Sequence, residues 1–305
     1  MIAAGINPLL SLAAGFALVY AILLSCYFGT CLRVTWLSRR RPDHKIQKDR
    51  QAAAVQIKRD IRASISSLAA ISFLFALGAW FHYQFGWGYE IHRMTIANTI
   101  VSFGFSMLVF DTWFYWFHRL LHTRWFFKHA HRWHHLIRTP VAWSNDSDTV
   151  ADSCFLQSYW AFAYFMFPIN PIVLFAHKIY DLVTGCIGHS GYEFAGWLSL
   201  PPSPLISVTH HDQHHRYSSC NYSTHFTFWD RLMGTLCREH DAEAARNART
   251  IEALVLPSRK SAPGVGRASD RSRDATYVAG LTNVTGGGAA HPPAAAPDAP
   301  ASSGH

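Results

Sequence analysis

The chain has 305 residues, of which 50% are hydrophobic, 14% aromatic and only 15% charged, with a formal net charge of +8. Soluble domains average about 25% charged residues. Here no Asp, Glu, Lys or Arg occurs over 1–32 or 63–89, and apolar runs longer than about 18 residues read as membrane spans. An ordinary soluble globule is excluded.

The first span is expected from Pro8 to Leu32, without the basic leader and small-residue cleavage site of a signal peptide. The basic segment 33–62 follows, with ten Lys/Arg against three Asp. It lies between two spans, so topology and phospholipid contact account for it, and no nucleic-acid partner is implied. A second span is predicted over Ser64–Trp87, then a short loop with Glu90 and Arg93, then a third span over Met94–Phe117. The next stretch, His118–Arg138, carries five Lys/Arg and marks the same, cytoplasmic side.

The fourth apolar region, Phe155–Gly188, is broken by the sequence PINP at 168–171. Two prolines around Asn170 cannot continue a regular helix, and a hairpin is expected to return the chain to the cytoplasmic side. From Ser258 onward 29 of 48 residues are Gly, Ala, Pro or Ser, a composition that cannot bury enough apolar surface to order itself. The expected organisation is a membrane-embedded domain over 1–257, with its motif core at 111–236, and a disordered tail over 258–305. The six cysteines contain no CxxC pair and suggest neither a zinc knuckle nor a disulfide framework. The predicted fold is all-α, with about four transmembrane elements and a cytosolic helical cap.

Nineteen histidines decide the function. HRLLH places His118 and His122 four apart, HRWHH gives His131, His134 and His135, and HHDQHH gives His211, His214 and His215 beside His210. His189 stands in HSGYE at 189–193. Residues at i, i+3 and i+4 share a helix face, so each cluster can present two or three imidazoles together. Eight or nine imidazoles exceed what one tetrahedral zinc needs, which points to two metal ions. Imidazole alone leaves iron, zinc, copper and nickel open. Asp111 and Glu193 are candidates to orient ligands from outside the metal sphere. His177, intramembrane and ionisable, is a further candidate or a partner of Asp181. His129 and His210 are set outside the ligand sphere, and His82, His92, His225 and His240 receive no role. Read without further comparison, the clusters fit either an oxidative enzyme or a membrane metal-binding or transport protein.

These stretches resemble the fatty acid hydroxylase/sterol desaturase superfamily of membrane di-iron oxygenases. The resemblance rests on DTWFYWFHRLLH (111–122), HRWHH (131–135), HSGYE (189–193) and HHDQHHRYSSCNYSTHFTFWDRLMGT (210–235). The last two are most similar to the C-4 methylsterol oxidase and cholesterol 25-hydroxylase branch. It implies hydroxylation or desaturation of a membrane lipid or sterol, with two iron ions and dioxygen as co-substrate. It also implies a separate electron donor, whether cytochrome, ferredoxin or reductase. The metal ligands by analogy are His118, His122, His131, His134, His135, His189, His211, His214 and His215. The host membrane is the bacterial inner membrane or the endoplasmic reticulum. One departure stands out: many relatives carry an HPxE-like element where this chain reads WSNDSDT (143–149), so Asp146 or Asp148 is expected to substitute or the pocket to differ.

Overall fold

A computed structural model describes residues 7–86, 95–194, 201 and 203–255, all within one compact unit spanning Met1–Val265. The expected Glu90–Arg93 loop and the tail after Ser258 lie outside the described residues. Among those described the fold is helical, with two isolated β-bridges and no named strand.

Four helices are long and apolar enough to cross a membrane: α1 (Pro8–Arg40), α2 (Ala54–Phe85), α3 (Ile96–Leu121) and α7 (Pro171–Gly188). Their starts follow from local chemistry. Asn7 accepts hydrogen bonds from the Leu9 and Leu10 amides ahead of Pro8, and Thr95 accepts from Asn98 at the start of α3. Gly86 ends α2 in the left-handed conformation at φ 66°. At 1.5 Å per residue, the 33 residues of α1 and 32 of α2 reach about 50 Å, well beyond a hydrocarbon core of about 30 Å. The surplus is the charged end of each helix, Arg33–Arg40 on one and Lys58–Arg62 on the other. The sequence placed those charges in a connector; the structure continues both helices through them.

The interrupted fourth region forms α5 (Val150–Leu156), α6 (Tyr159–Met166) and α7. Asn170 caps α7 by accepting from the Ile172 amide, with Pro171 as its first residue, so the PINP sequence stops one helix and starts another. α7 then brings His189 back to the histidines that follow α3, as a reversal requires. The connector after α1 meets the same side: the Ile46 amide bonds the Gly191 carbonyl at 2.9 Å, and Glu193 bonds the His44 carbonyl at 3.0 Å.

The core lies where α1, α2, α6 and α7 meet, around Tyr27, Leu68, Phe75, Trp160, Tyr164 and Leu174. α2 and α6 approach closely at Gly78, where an added Cβ would lie 2.5 Å from the Ala161 carbonyl oxygen. The turn at Ala142–Ser144 is tied to both long helices. Tyr27 and Ser64 donate to the Trp143 carbonyl at 2.6 and 3.2 Å, and the Trp143 indole donates to Thr35 at 2.9 Å. This fixes the start of the acidic stretch that follows.

Candidate metal centre

Three short elements complete the centre: α4 (Arg124–Phe126) running into a π turn at Phe127–His131, a 3-10 turn at His134–Leu136, and α8 (Val208–Tyr217). HRWHH is therefore carried by two tight turns instead of the regular helix expected from its spacing, because the chain reverses sharply after α3. The nine clustered histidines still converge. Their ring nitrogens fall into two groups, one of His118, His122, His131, His135 and His214, the other of His134, His189, His211 and His215, each with donor atoms within 4.8 Å of one another. The i, i+4 pairs 118/122, 131/135 and 211/215 each stay within one group. His134 and His214 cross to the other group, so the two groups share their elements.

The outward nitrogens explain why the inner ones converge. His118 Nδ1 contacts the Tyr222 carbonyl, His189 the Gly185 carbonyl, His214 the Cys220 carbonyl and His215 the Ile137 carbonyl, at 2.7–2.9 Å. A carbonyl only accepts, so in each ring Nδ1 bears the proton and Nε2 presents a lone pair inward. His131 Nδ1 meets the Asp152 carboxylate at 2.8 Å with both side chains buried, and His134 Nδ1 stands 2.8 Å from Asp148 as an ion-pair contact, off the line of a hydrogen bond. Yet Nε2 of His118 and His131 are 3.2 Å apart, His211 and His189 2.8 Å, and His215 and His211 3.0 Å. His118 and His131 both turn Nδ1 outward to oxygen partners, so their Nε2 lone pairs face each other in a buried site and repel unless a cation lies between them. The donor set fits bound metal ions.

Electrostatics agree. Among the groups outside the spans, burial holds the His122 ring down to about 2 and His189 to about 3, with neighbouring imidazoles adding to the effect. His131, His211, His214 and His215 are lowered for the same reasons. All are neutral and ready to ligate at pH 7. For His134 burial pulls down, but the Asp148, Asp152 and Asp60 carboxylates outweigh it and raise the ring. Burial also raises Asp146 to about 6 and Asp152 well above the usual carboxylate range, Asp148 adding to both. Acids crowded beside imidazoles are stabilised by positive metal charge.

Two expected supporting residues do other work. Asp111 accepts the backbone amides of Thr224, His225 and Phe226 at 2.7–3.3 Å; it fastens the loop after α8 and touches no clustered imidazole. Glu193 accepts the amide and hydroxyl of Thr209, holding the first turn of α8. Of the carboxylates that do reach the rings, Asp148 comes from the stretch where the HPxE-like element is missing and Asp152 from the first turn of α5 just beyond it. The acidic spacing in NDSDTVAD (145–152) is the signal that points to both, and the expectation above names Asp148 but not Asp152. Carbonyl partners leave no mark in sequence.

Other histidines sort by partner. His210 bonds Asp230, which also accepts the Tyr222 and Ser223 amides and the Thr235 hydroxyl, so WDRLMGT braces the third cluster. His129 bonds its own turn at Trp125. His177 pairs with Ser106 and His225, not with Asp181, which instead takes Lys178 at 2.7 Å. Cys220 and Cys237 form a disulfide across 17 residues, contrary to expectation, because the loop folds back through left-handed Ser218 and Asn221. A cavity of about 100 Å³ runs beside the centre, lined by His118, His134, His189 and His211 at one end and by Gln157, Asp181 and His225 at the other.

Residues 103–235 match the family model described as fatty acid hydroxylase. The chain is 28% identical to human (Homo sapiens) lathosterol oxidase over 73% of its own length and 76% of that protein's. It is 28% identical to the C-4 methylsterol oxidase of Schizosaccharomyces pombe over 47% of this chain and 49% of that one. With the cholesterol 25-hydroxylase of Rattus norvegicus it shares 29% identity over 44% and 46%. The chain thus spans about half the length of the latter two. No solved structure matches it.

Proposed function

We propose, on the premise that residues 103–235 form a fatty acid hydroxylase domain, that this chain is a membrane oxidoreductase that oxidises a C–H bond of a lipid, sterols being the class its relatives favour. The nine histidines His118, His122, His131, His134, His135, His189, His211, His214 and His215 would hold two metal ions, one in each group. The carrying observation is the set of inward lone pairs whose partner nitrogens already donate outward. The chemistry required, not the spacing, favours iron over structural zinc. Zinc has no redox chemistry for an unactivated C–H bond.

Bound iron would supply dioxygen activation, the overall reaction taking one O₂, two electrons and two protons to give alcohol and water, or alkene and two waters. The electrons would come from a separate electron-transfer protein. The chain's own residues prepare that chemistry: Asp148 and Asp152 set ring orientation and balance charge, and Asp111, Glu193 and Asp230 hold the loop and helix that bear the third cluster. The contacts of the basic connector with residues 191–193 support a centre on the cytoplasmic side by the positive-inside rule.

Two measurements test this. Purified protein from iron-replete cells should hold close to two metal ions per chain, iron among them. Lipid mass spectrometry of cells with and without the chain should reveal a species shifted by about +16 or −2 mass units. Folded protein with one metal or none sinks the dinuclear reading, and an unchanged lipidome with loaded iron sinks the enzymatic one.

A further inference from the structure

The cavity beside the histidines has a second polar end that the metal centre does not use. Gln157, Asp181 and His225 line it, with Asn145, Asp146 and Thr184 on the same wall, and a buried polar group needs a partner. Their partners are only partly within the protein. The Gln157 carbonyl accepts the Trp160 indole at 2.6 Å and the Lys178 ammonium at 3.3 Å. Both donors require oxygen at that position, which turns the amide nitrogen and its two N–H groups the other way. Asp181 Oδ2 accepts from the Lys178 ammonium at 2.7 Å, while its Oδ1 is 3.9 Å from His225 Nε2, too far for a hydrogen bond. His225 in turn rests on His177, which rests on Ser106 at 2.8 Å. An acceptor, Asp181 Oδ1, and a donor, the Gln157 amide, are thus left to one small polar group, and a lysine already neutralises the carboxylate.

We propose that this niche binds the hydroxyl of a neutral lipid alcohol, which donates to Asp181 Oδ1 and accepts from the Gln157 amide, and so fixes which C–H bond meets the metal centre. A fatty acid carboxylate is a poor occupant because it would face Asp181. This rests on the oxidase reading above, and it adds a distance to it. Asp181, Thr184, Gly185 and Gly188 line the same cavity as His189, so α7 is its ruler. Asp181 and His189 are eight residues apart, about 12 Å of helix rise. A lipid held by its hydroxyl at one end therefore offers a carbon about that far away at the other. On a sterol this excludes C-4, which adjoins the hydroxyl-bearing carbon, and selects the side-chain half of the molecule. The free volume is smaller than a sterol, so binding one requires the walls to open.

The test uses the full chain in lipid nanodiscs with cholestatrienol, a fluorescent sterol bearing the hydroxyl, displaced by cholesterol, by its 3-deoxy counterpart cholest-5-ene, or by stearic acid. A hydrogen bond to a charged group is worth about 10–100-fold, so cholesterol should compete at least tenfold better than either of the others. Gln157→Leu removes only the neutral donor and should lower the cholesterol-to-deoxysterol ratio about 2- to 10-fold; should that variant not fold, the ligand comparison on the unmodified chain decides alone. Equal competition by the two sterols, or no saturable cholestatrienol binding, overturns the proposal. With iron, dioxygen and reductant supplied, cholesterol should gain its oxygen or double bond in the side-chain half, and ring-A oxidation overturns the proposed register. Hydroxyl discrimination with no oxidised product upholds the niche and overturns the oxidase reading instead.

Discussion

Replacing Asp152 with Asn separates the support of the metal from the support of the fold. Asp152 Oδ2 lies 2.8 Å from His131 Nδ1, and the two side chains are 0% and 2% exposed. Asn has nearly the same shape and can still accept the ring proton. What disappears is a buried negative charge beside a group of five imidazoles that would bind a cation. Losing such an outer carboxylate costs about 10–100-fold in metal affinity, equivalent to about 1.4–2.8 kcal/mol. Asp111→Asn is the control, since the Asn carbonyl can keep all three backbone N–H bonds and no clustered ring is touched. The assay is iron retention against increasing chelator, read by elemental analysis beside the melting temperature of the metal-free protein. Asp152→Asn should release iron at a chelator concentration at least tenfold lower, and Asp111→Asn within threefold of the unmodified chain. If Asp152→Asn holds iron as the unmodified chain does, or Asp111→Asn loses as much, the assignment of Asp152 as the orienting carboxylate is wrong.

Other outcomes follow from the same geometry. His189→Ala should abolish turnover and lower the metal content from about two to about one, whereas His129→Ala, on an exposed turn, should change neither; equal loss in both would refute the grouping. Metal-free protein should lose stability as pH falls below about 6.5, because His122 at about 2 and His189 at about 3 refuse protons that the unfolded chain accepts. Asp146 at about 6 and Glu193 at about 7 oppose this, since their folded forms take protons first, but the lowered histidines outnumber them. A melting temperature that stays flat or rises from pH 7.5 to 5 would show that the acids dominate. Removing residues 260–305 should leave membrane insertion and metal content unchanged, and loss of the metal would show that the composition of this segment misleads.

Composition and spacing by themselves determined a good deal. Charge-free runs gave the spans to within a few residues at their apolar ends, because lipid contact constrains every residue facing outward. The i, i+4 histidines at 118/122, 131/135 and 211/215 were legible as shared faces, since local backbone geometry brings them together whatever surrounds them. Tertiary structure alone decided how nine rings divide into two groups, because that depends on where α3, α7 and α8 end in space. It alone assigned Asp152 to His131, 21 residues away, and moved Asp111 from the metal to a loop 113 residues downstream. The carbonyls that orient His118, His189, His214 and His215 belong to the backbone, so no residue type announces them. The niche at Gln157, Asp181 and His225 joins three elements distant in sequence. His225 looked like a stray histidine until the chain brought it against α7.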